Sequence, residues 1–461
     1  MRRAAAVCAV VCCSLAPAAQ ALGVGSFESS DPLLNRIWLA SVQTANDGVQ
    51  KPIVLDPRGC QIYLSLVILD GPVRDRCPYI GDEAVSGMTL LAAGDRLLTV
   101  RTMIWWFASV QNPDGSIPAS PLLDHSTVLI DYNAYWIEAL YDYTLYTGDL
   151  SLVKKVLPNL VRLVDGLYPN HVDSNGLLQN WLPGEDYAYI TRGGTAVAYY
   201  NAQYVRALGM AATLAIWDGD RADASAWRAR ATAVASHFSG AFWDPVAGAF
   251  TDTAGDTTVH PQDGNVFAIL AGLATPQQAS SALAYIDSTM SRPQGDTITD
   301  SSAWDSTAWG FGGTERIEPF IGYFDVLARF AEGDDLAAID LIRREWGFML
   351  DNGPGTMWEN IDARTGKPVD ILPSWDHGWS SGAAPALTAD VLGIKPVAPG
   401  FSAFTVTPHP GDLQWAQGNV PTPHGTIHVS WKLVSGRPVV SVSAPHGTVW
   451  VNAPPKKRAK A

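Results

Sequence analysis

The sequence predicts a mainly α-helical protein: helical hairpins arranged in a ring or solenoid, followed by a small antiparallel β domain. Three features predict it. From Ser29 to about Ile394, apolar residues recur at helical spacing between polar turns. After Pro396 the period changes to two. Between the two regions, Gly393-Ile-Lys-Pro396 forms a breaker-rich junction.

The chain has 461 residues, enough for two or three domains and a large core. Residues 1–21 read as a signal peptide. Arg2-Arg3 is the basic start, Ala4 to Ala18 the apolar run, and Ala19-Gln20-Ala21 a small-x-small cleavage site. No later segment reaches the ~18 uninterrupted apolar residues of a membrane helix, so the expectation is a soluble protein, secreted or periplasmic. The helical region then spans 22–395, the β domain 396–452 and a disordered basic tail 453–461.

Within the helical region, Leu152, Val156, Leu160 and Val164 share one face, with Asp149 as N-cap and Pro158 expected to kink or split the helix. Tyr200–Trp217 and Ala224–Phe238 read as long amphipathic helices. Leu336, Ile339, Leu341, Ile342 and Trp346 form another stripe, started by Asp334-Asp335. Short turns such as Asn112-Pro-Asp-Gly115 and Asn352-Gly-Pro-Gly355 imply antiparallel helix pairs. In the β region Phe404/Val406, Ile427/Val429/Trp431, Val440/Val442 and Val449/Val451 alternate, and Ser435-Gly436 and His446-Gly447 sit where turns belong.

Formal charge is −14, which argues against nucleic acid or an anionic membrane as partner, since both demand Lys/Arg patches. The 17 Trp and 15 Tyr give a heavy aromatic load, useful in any core and suited to stacking on the apolar face of a sugar. Only Cys60 and Cys77 remain once the leader is removed. In an oxidising compartment they are expected to pair, closing a loop of about 18 residues worth roughly 3 kcal/mol on the chain-entropy model. No metal site is expected, because two cysteines lack His companions at ligand spacing, and no cofactor is implied.

The densest chemistry lies in Asp70-Gly-Pro-Val-Arg74-Asp75-Arg76-Cys-Pro-Tyr79-Ile-Gly81-Asp82. This run resembles the signature of the α-L-rhamnosidase family of helical-barrel glycoside hydrolases, an Asp-x-Pro-x-Arg-(Asp/Glu) stretch closing on Trp-x-Gly-Asp. Thr356-Met-Trp358-Glu359 resembles the family's second acidic motif, and Ser374-Trp-Asp-His377-Gly-Trp379 its Ser-x-x-His-x-Trp. The similarity runs over roughly residues 29 to 430.

The resemblance implies an (α/α)6 barrel, a six-hairpin toroid, followed by a C-terminal β-sandwich, and inverting hydrolysis without an essential metal. Carried over by position, it implies Asp75 as general acid and Glu359 as general base. It also implies Asp70, Arg74, Asp82 and His377 on the sugar hydroxyls, with tryptophans lining the pocket. Tyr79, at the family's Trp position, and Trp358, Trp181 and Asp186 complete the candidate substrate-binding set. Two departures stand out: Asp75 is shorter than the Glu of many members, and Tyr79 replaces a Trp. Glu83 and Glu185 are alternative proton donors.

The chemistry stands without the family. Inversion needs a protonated carboxyl at the leaving oxygen and a carboxylate activating water across the ring, about 6.5–9.5 Å away. Two acids from distant parts of a ring can face each other so. The expected substrate is a plant or microbial glycoside or polysaccharide carrying a terminal α-L-rhamnosyl unit. Rival readings are an inverting barrel glycosidase for another sugar, a helical-barrel polysaccharide lyase, and a non-catalytic rhamnose-binding protein. The sequence leaves the oligomeric state open.

Overall fold

The computed structural model describes residues 24–51, 66–72, 76–121, 127–193, 195–304, 313–369 and 373–452. Arg74, Asp75 and Cys60 therefore lie outside the described residues. The helices are α1 (Pro32–Asp47), α2 (Ile80–Ala93), α3 (Leu97–Ser109), α4 (Tyr132–Thr147), α5 (Leu150–Val161) and α6 (Ala198–Asp218), then α7 (Arg221–Phe242), α8 (Gln262–Leu270), α9 (Pro276–Thr289), α10 (Pro319–Glu332), α11 (Asp335–Asn352) and the short α12 (Ala383–Ala386).

They form two concentric rings. α2, α4, α6, α8 and α10 pack each against the next, and residues 378–386, a 3-10 turn running into α12, close the inner ring between α10 and α2. Outside it, α1 packs against α2, α3 against α4, α5 and α7 against α6, α9 against α8, and α11 against α10 and α1. The sequence dictates this split. Inner helices are buried nearly all round: α2 buries every residue except Met88. Outer helices bury one stripe, as in α7, where Ala224, Trp227, Val234, Phe238 and Phe242 face inward.

Most expected helix starts hold. Asp149 caps α5 by accepting from the Leu152 amide, and α11 starts at Asp335 behind Asp334. Pro158 does not split α5. The helix runs through it and then loosens into a π-turn at residues 162–167, where the relaxed hydrogen-bonding pattern sits a turn beyond the proline.

The C-terminal region holds two sheets. Trp415–Thr422, Gly425–Val434 and Arg437–Ser443 make an antiparallel meander. Ser435 and Gly436, both at positive φ, turn the second hairpin. The fourth strand comes from the other end of the chain: Ser26–Ser29 pairs with residues 416–419. Ile394–Pro396, Ala403–Val406 and Val449–Trp450 form the second sheet. The four-stranded sheet buries Ala416, Val429 and Trp431, and the Trp431 indole donates to the Val391 carbonyl at 2.9 Å, docking the sheet on the barrel.

Ring closure depends on small residues in the last inner segment. A Cβ on Gly382 would lie 2.5 Å from the Tyr323 ring of α10, whereas one on Gly209, in α6, would meet nothing within 4 Å. Gly382→Ala is therefore expected to destabilise the fold by about 1–3 kcal/mol through overpacking. Gly209→Ala should stabilise it by up to ~1 kcal/mol through helix propensity. Urea unfolding of both variants checks the pair.

Candidate active site

One end of the inner ring carries a cluster drawn from four parts of the chain. The strand Val67–Ile68 pairs with Val49–Gln50 and delivers Asp70. Its backbone is held on both sides: the Asp70 amide donates to the Cys77 carbonyl at 2.9 Å, and the Asp70 carbonyl accepts from the Gly378 amide at 3.2 Å. Asp82 sits in the first turn of α2, where the helix dipole favours a carboxylate. Gly81 beside it leaves room for the Tyr132 ring, which any Cβ there would strike.

Glu359 and His377 come from two adjoining extended segments. The Glu359 amide donates to Ser374 O at 3.1 Å, and the His377 amide to Met357 O at 2.8 Å. The Met357 amide in turn donates to Thr44 Oγ1 of α1 at 2.9 Å. This short ladder aims both side chains at Asp70 and Asp82. His377 Nε2 lies 2.5 Å from Asp70 Oδ1 and 3.1 Å from Asp82 Oδ1, while Nδ1 lies 3.2 Å from Ser374 Oγ and 4.0 Å from Glu359 Oε2. Burial alone would favour neutral imidazole, but the two carboxylates outweigh it and push the His377 pKa up to about 9. The ring is a cation at neutral pH.

Asp70, Tyr79, Asp82, Tyr132, Tyr187, Tyr189, Glu359 and Trp379 line a narrow cavity of about 40 Å³. That holds a few waters. Trp379 is fixed as a wall: its indole donates to Glu359 O at 2.9 Å and stacks on Phe320 at 4.9 Å. Tyr132 reaches Asp82 Oδ2 at 3.4 Å.

Asp70, Tyr79, Asp82, Glu359 and His377 thus meet as the motifs imply. Three other candidates stand elsewhere. Trp358 is fully buried on the far side of its segment from Glu359, edge-on to Trp375 and Phe348. Trp181 stacks on His171 at 4.4 Å, away from the cavity lining. Asp186 is buried behind the wall: Arg192 holds it at 2.7 Å, and its other oxygen accepts from the Ala188 and Ile190 amides. Arg76 turns toward Gln50 at 2.7 Å. Of the alternative donors, Glu83 is wholly buried with neither carboxylate oxygen hydrogen-bonded, and burial raises its pKa; neither it nor the partly exposed Glu185 lines the cavity. Cys77 is buried, and its proposed partner lies outside the described residues.

Sequence reasoning missed Tyr132, Tyr187 and Tyr189, and the Arg192 hub that holds two of them. Arg192 binds Asp186, Asp252 at 2.8 Å and Asp263 at 2.5 Å. Tyr187 donates its hydroxyl to Asp263 at 3.2 Å and its amide to Asp131 at 3.1 Å. One guanidinium does not neutralise so many acids, and burial pushes Asp252 up to about 7. Asp131-Tyr132 at a helix start and three tyrosines within Tyr187–Tyr199 were the available signals, but nothing in spacing joins them.

Because the folded His377 pKa is raised, the stability it adds is fully present below its unfolded value, about 6.5. It is lost as pH rises through about 9. The stability gap between wild type and His377→Gln is expected to shrink over that window. Urea midpoints measured from pH 6 to 10 check it, and a constant gap would contradict the ion-paired imidazolium.

Comparison with known proteins agrees with this architecture. Residues 23–299 match the bacterial α-L-rhamnosidase 6 hairpin glycosidase domain, and residues 393–460 match the bacterial α-L-rhamnosidase C-terminal domain. The α-L-rhamnosidase of Alteromonas sp. (strain LOR) is 24% identical over 320 residues, 65% of this chain and 32% of that protein. The rhamnosidase of Bacillus sp. GL1 superposes with a TM-score of 0.74 at 24% identity, over 94% of this chain and 43% of its own. The Streptomyces avermitilis α-L-rhamnosidase complexed with L-rhamnose gives a TM-score of 0.67 at 20% identity, over 93% and 38%. This chain thus spans less than half of each of these three relatives. With most of its helical ring matched by the family's own domain, the chain belongs to the bacterial α-L-rhamnosidase six-hairpin glycosidases.

Proposed function

We propose that this protein is an exported exo-glycoside hydrolase that removes terminal α-L-rhamnosyl units with inversion. The observation that carries the proposal is the convergence of Asp70, Asp82 and Glu359, from distant parts of the chain, on one cavity walled by aromatic rings, with His377 bonded to both aspartates. A relative with rhamnose bound in the same fold supports the choice of sugar.

In this mechanism Asp75 is the general acid and Glu359 the general base. As the bond between the anomeric carbon and the leaving oxygen breaks, the Asp75 proton passes to that oxygen. Glu359 removes a proton from water, whose oxygen attacks the anomeric carbon from the opposite face. The α-glycoside becomes β-L-rhamnose. Asp70 and Asp82 are acceptors for sugar hydroxyls, and His377, 2.5 Å from one and 3.1 Å from the other, holds them in place. Arg74 is assigned to the sugar hydroxyls on motif position.

Hydrolysis of an aryl α-L-rhamnoside tests the roles. Asp75→Asn and Glu359→Gln are each expected to lose about 10²–10⁴-fold in kcat, the usual share of general acid–base catalysis, with unfolding midpoints near wild type. Proton NMR of the first product should show the β anomer. Wild-type turnover in Asp75→Asn would move the acid to another group, and α-rhamnose as first product would exclude inversion. The oxidised protein should also yield a Cys60–Cys77 peptide pair on mass spectrometry, and its amino terminus should begin at Leu22.

A further inference from the structure

A second concavity lies remote from the catalytic cavity. It is a groove of about 650 Å³ on the outer face of the four-stranded sheet, within the ~300–1,000 Å³ range of ligand sites. The strand register sets its floor as two polar rows crossing all four strands. One runs Ser26–Asn419–His428–Ser443, the other Glu28–Gln417–Ser430–Ser441. The next position along brings the partly exposed Trp415, opposite Lys432, onto the same face. The side wall is the N-terminal half of α1, with Asn35 and with Leu39 at 63% exposure.

This lining has a definite chemistry. Apart from Glu28, whose carboxylate is bonded by the Gln417 amide at 2.7 Å, the polar groups on the floor are neutral hydroxyls, amides and one imidazole. Among the described residues no Lys or Arg lines it, Lys432 standing one position beyond the floor beside Trp415, which disfavours a phosphate ligand. Serine and acidic residues are depleted in protein interfaces, and Arg, Met and exposed aromatics enriched, which disfavours a protein partner. A row of small donor–acceptor groups flanked by an exposed Leu and an indole fits a ligand with many neutral hydroxyls and apolar C–H or methyl faces.

We propose that this groove is a second carbohydrate site, which binds a neutral oligosaccharide without cleaving it. α1 links the two sites. Asn35 and Leu39 face the groove, and Thr44 holds the Met357 amide beside Glu359, roughly 14 Å further along the axis at 1.5 Å per residue. Only the choice of a rhamnosyl probe rests on the function proposed above.

The test is calorimetry with linear α-L-rhamnotetraose on the Glu359→Gln protein, which leaves the probe intact. Two binding events are expected. Ser441→Lys and Leu39→Asp, on different elements, should each weaken one event at least tenfold, and Asp82→Asn should remove the other. In otherwise wild-type protein, Ser441→Lys should hydrolyse an aryl α-L-rhamnoside within twofold of the parent rate. The proposal is overturned if no event responds to either groove variant. It is equally overturned if sedimentation shows a wild-type dimer that Ser441→Lys dissociates, since the groove would then seat a second copy. Loss of only the event sensitive to Asp82→Asn, or failure of aryl-rhamnoside hydrolysis, counts against the catalytic reading and leaves the groove standing.

Discussion

The cationic ring of His377, shared between Asp70 and Asp82, is the interaction on which the rest depends. It joins the last inner segment of the toroid to the first, so the contact that closes the ring also assembles the site. Three buried ionisable groups in contact would be costly if any one were missing, since an uncompensated charge would then be left in a water-poor setting. Here each is satisfied by the others, and the backbone bonds from Cys77 and Gly378 to Asp70 hold the group in register.

Around this clamp the protein uses two kinds of support. On one side a short backbone ladder carries Glu359 and His377 together, so Glu359 cannot move without the clamp. On the other, the Arg192 hub gathers Asp186, Asp252 and Asp263 behind the tyrosine wall. It acts through Tyr187, whose amide and hydroxyl are both anchored to buried carboxylates. Rigid support of this sort fixes where the aromatic faces stand, which is what discrimination among sugars requires.

The β region is more than an appendage. Its four-stranded sheet takes one strand from the very start of the described chain, so the two ends of the polypeptide are woven together and docked on the barrel through Trp431. The inner face is apolar and buried; the outer face is polar and concave. The same α1 that walls the groove supports the segment carrying Glu359, so both surfaces share one rigid element.

Much was legible from sequence alone. Period and turn chemistry separate helices from strands, because burial on one face imposes a repeat on the residues themselves. Motif order identifies Asp70, Tyr79, Asp82, Glu359 and His377, because each lies in a short run whose backbone must place it. What only tertiary structure decided is anything set by partners distant along the chain. Trp358 faces the core against Trp375 and Phe348; Asp186 serves Arg192 rather than a sugar; Ser26–Ser29 belongs to a sheet nearly four hundred residues away. Tyr132 and Tyr189 reach the cavity only because separate helix starts and loops meet at one end of the ring. Local sequence fixes local geometry, but a long-range pair is chosen by how whole elements pack, and no spacing along the chain encodes it.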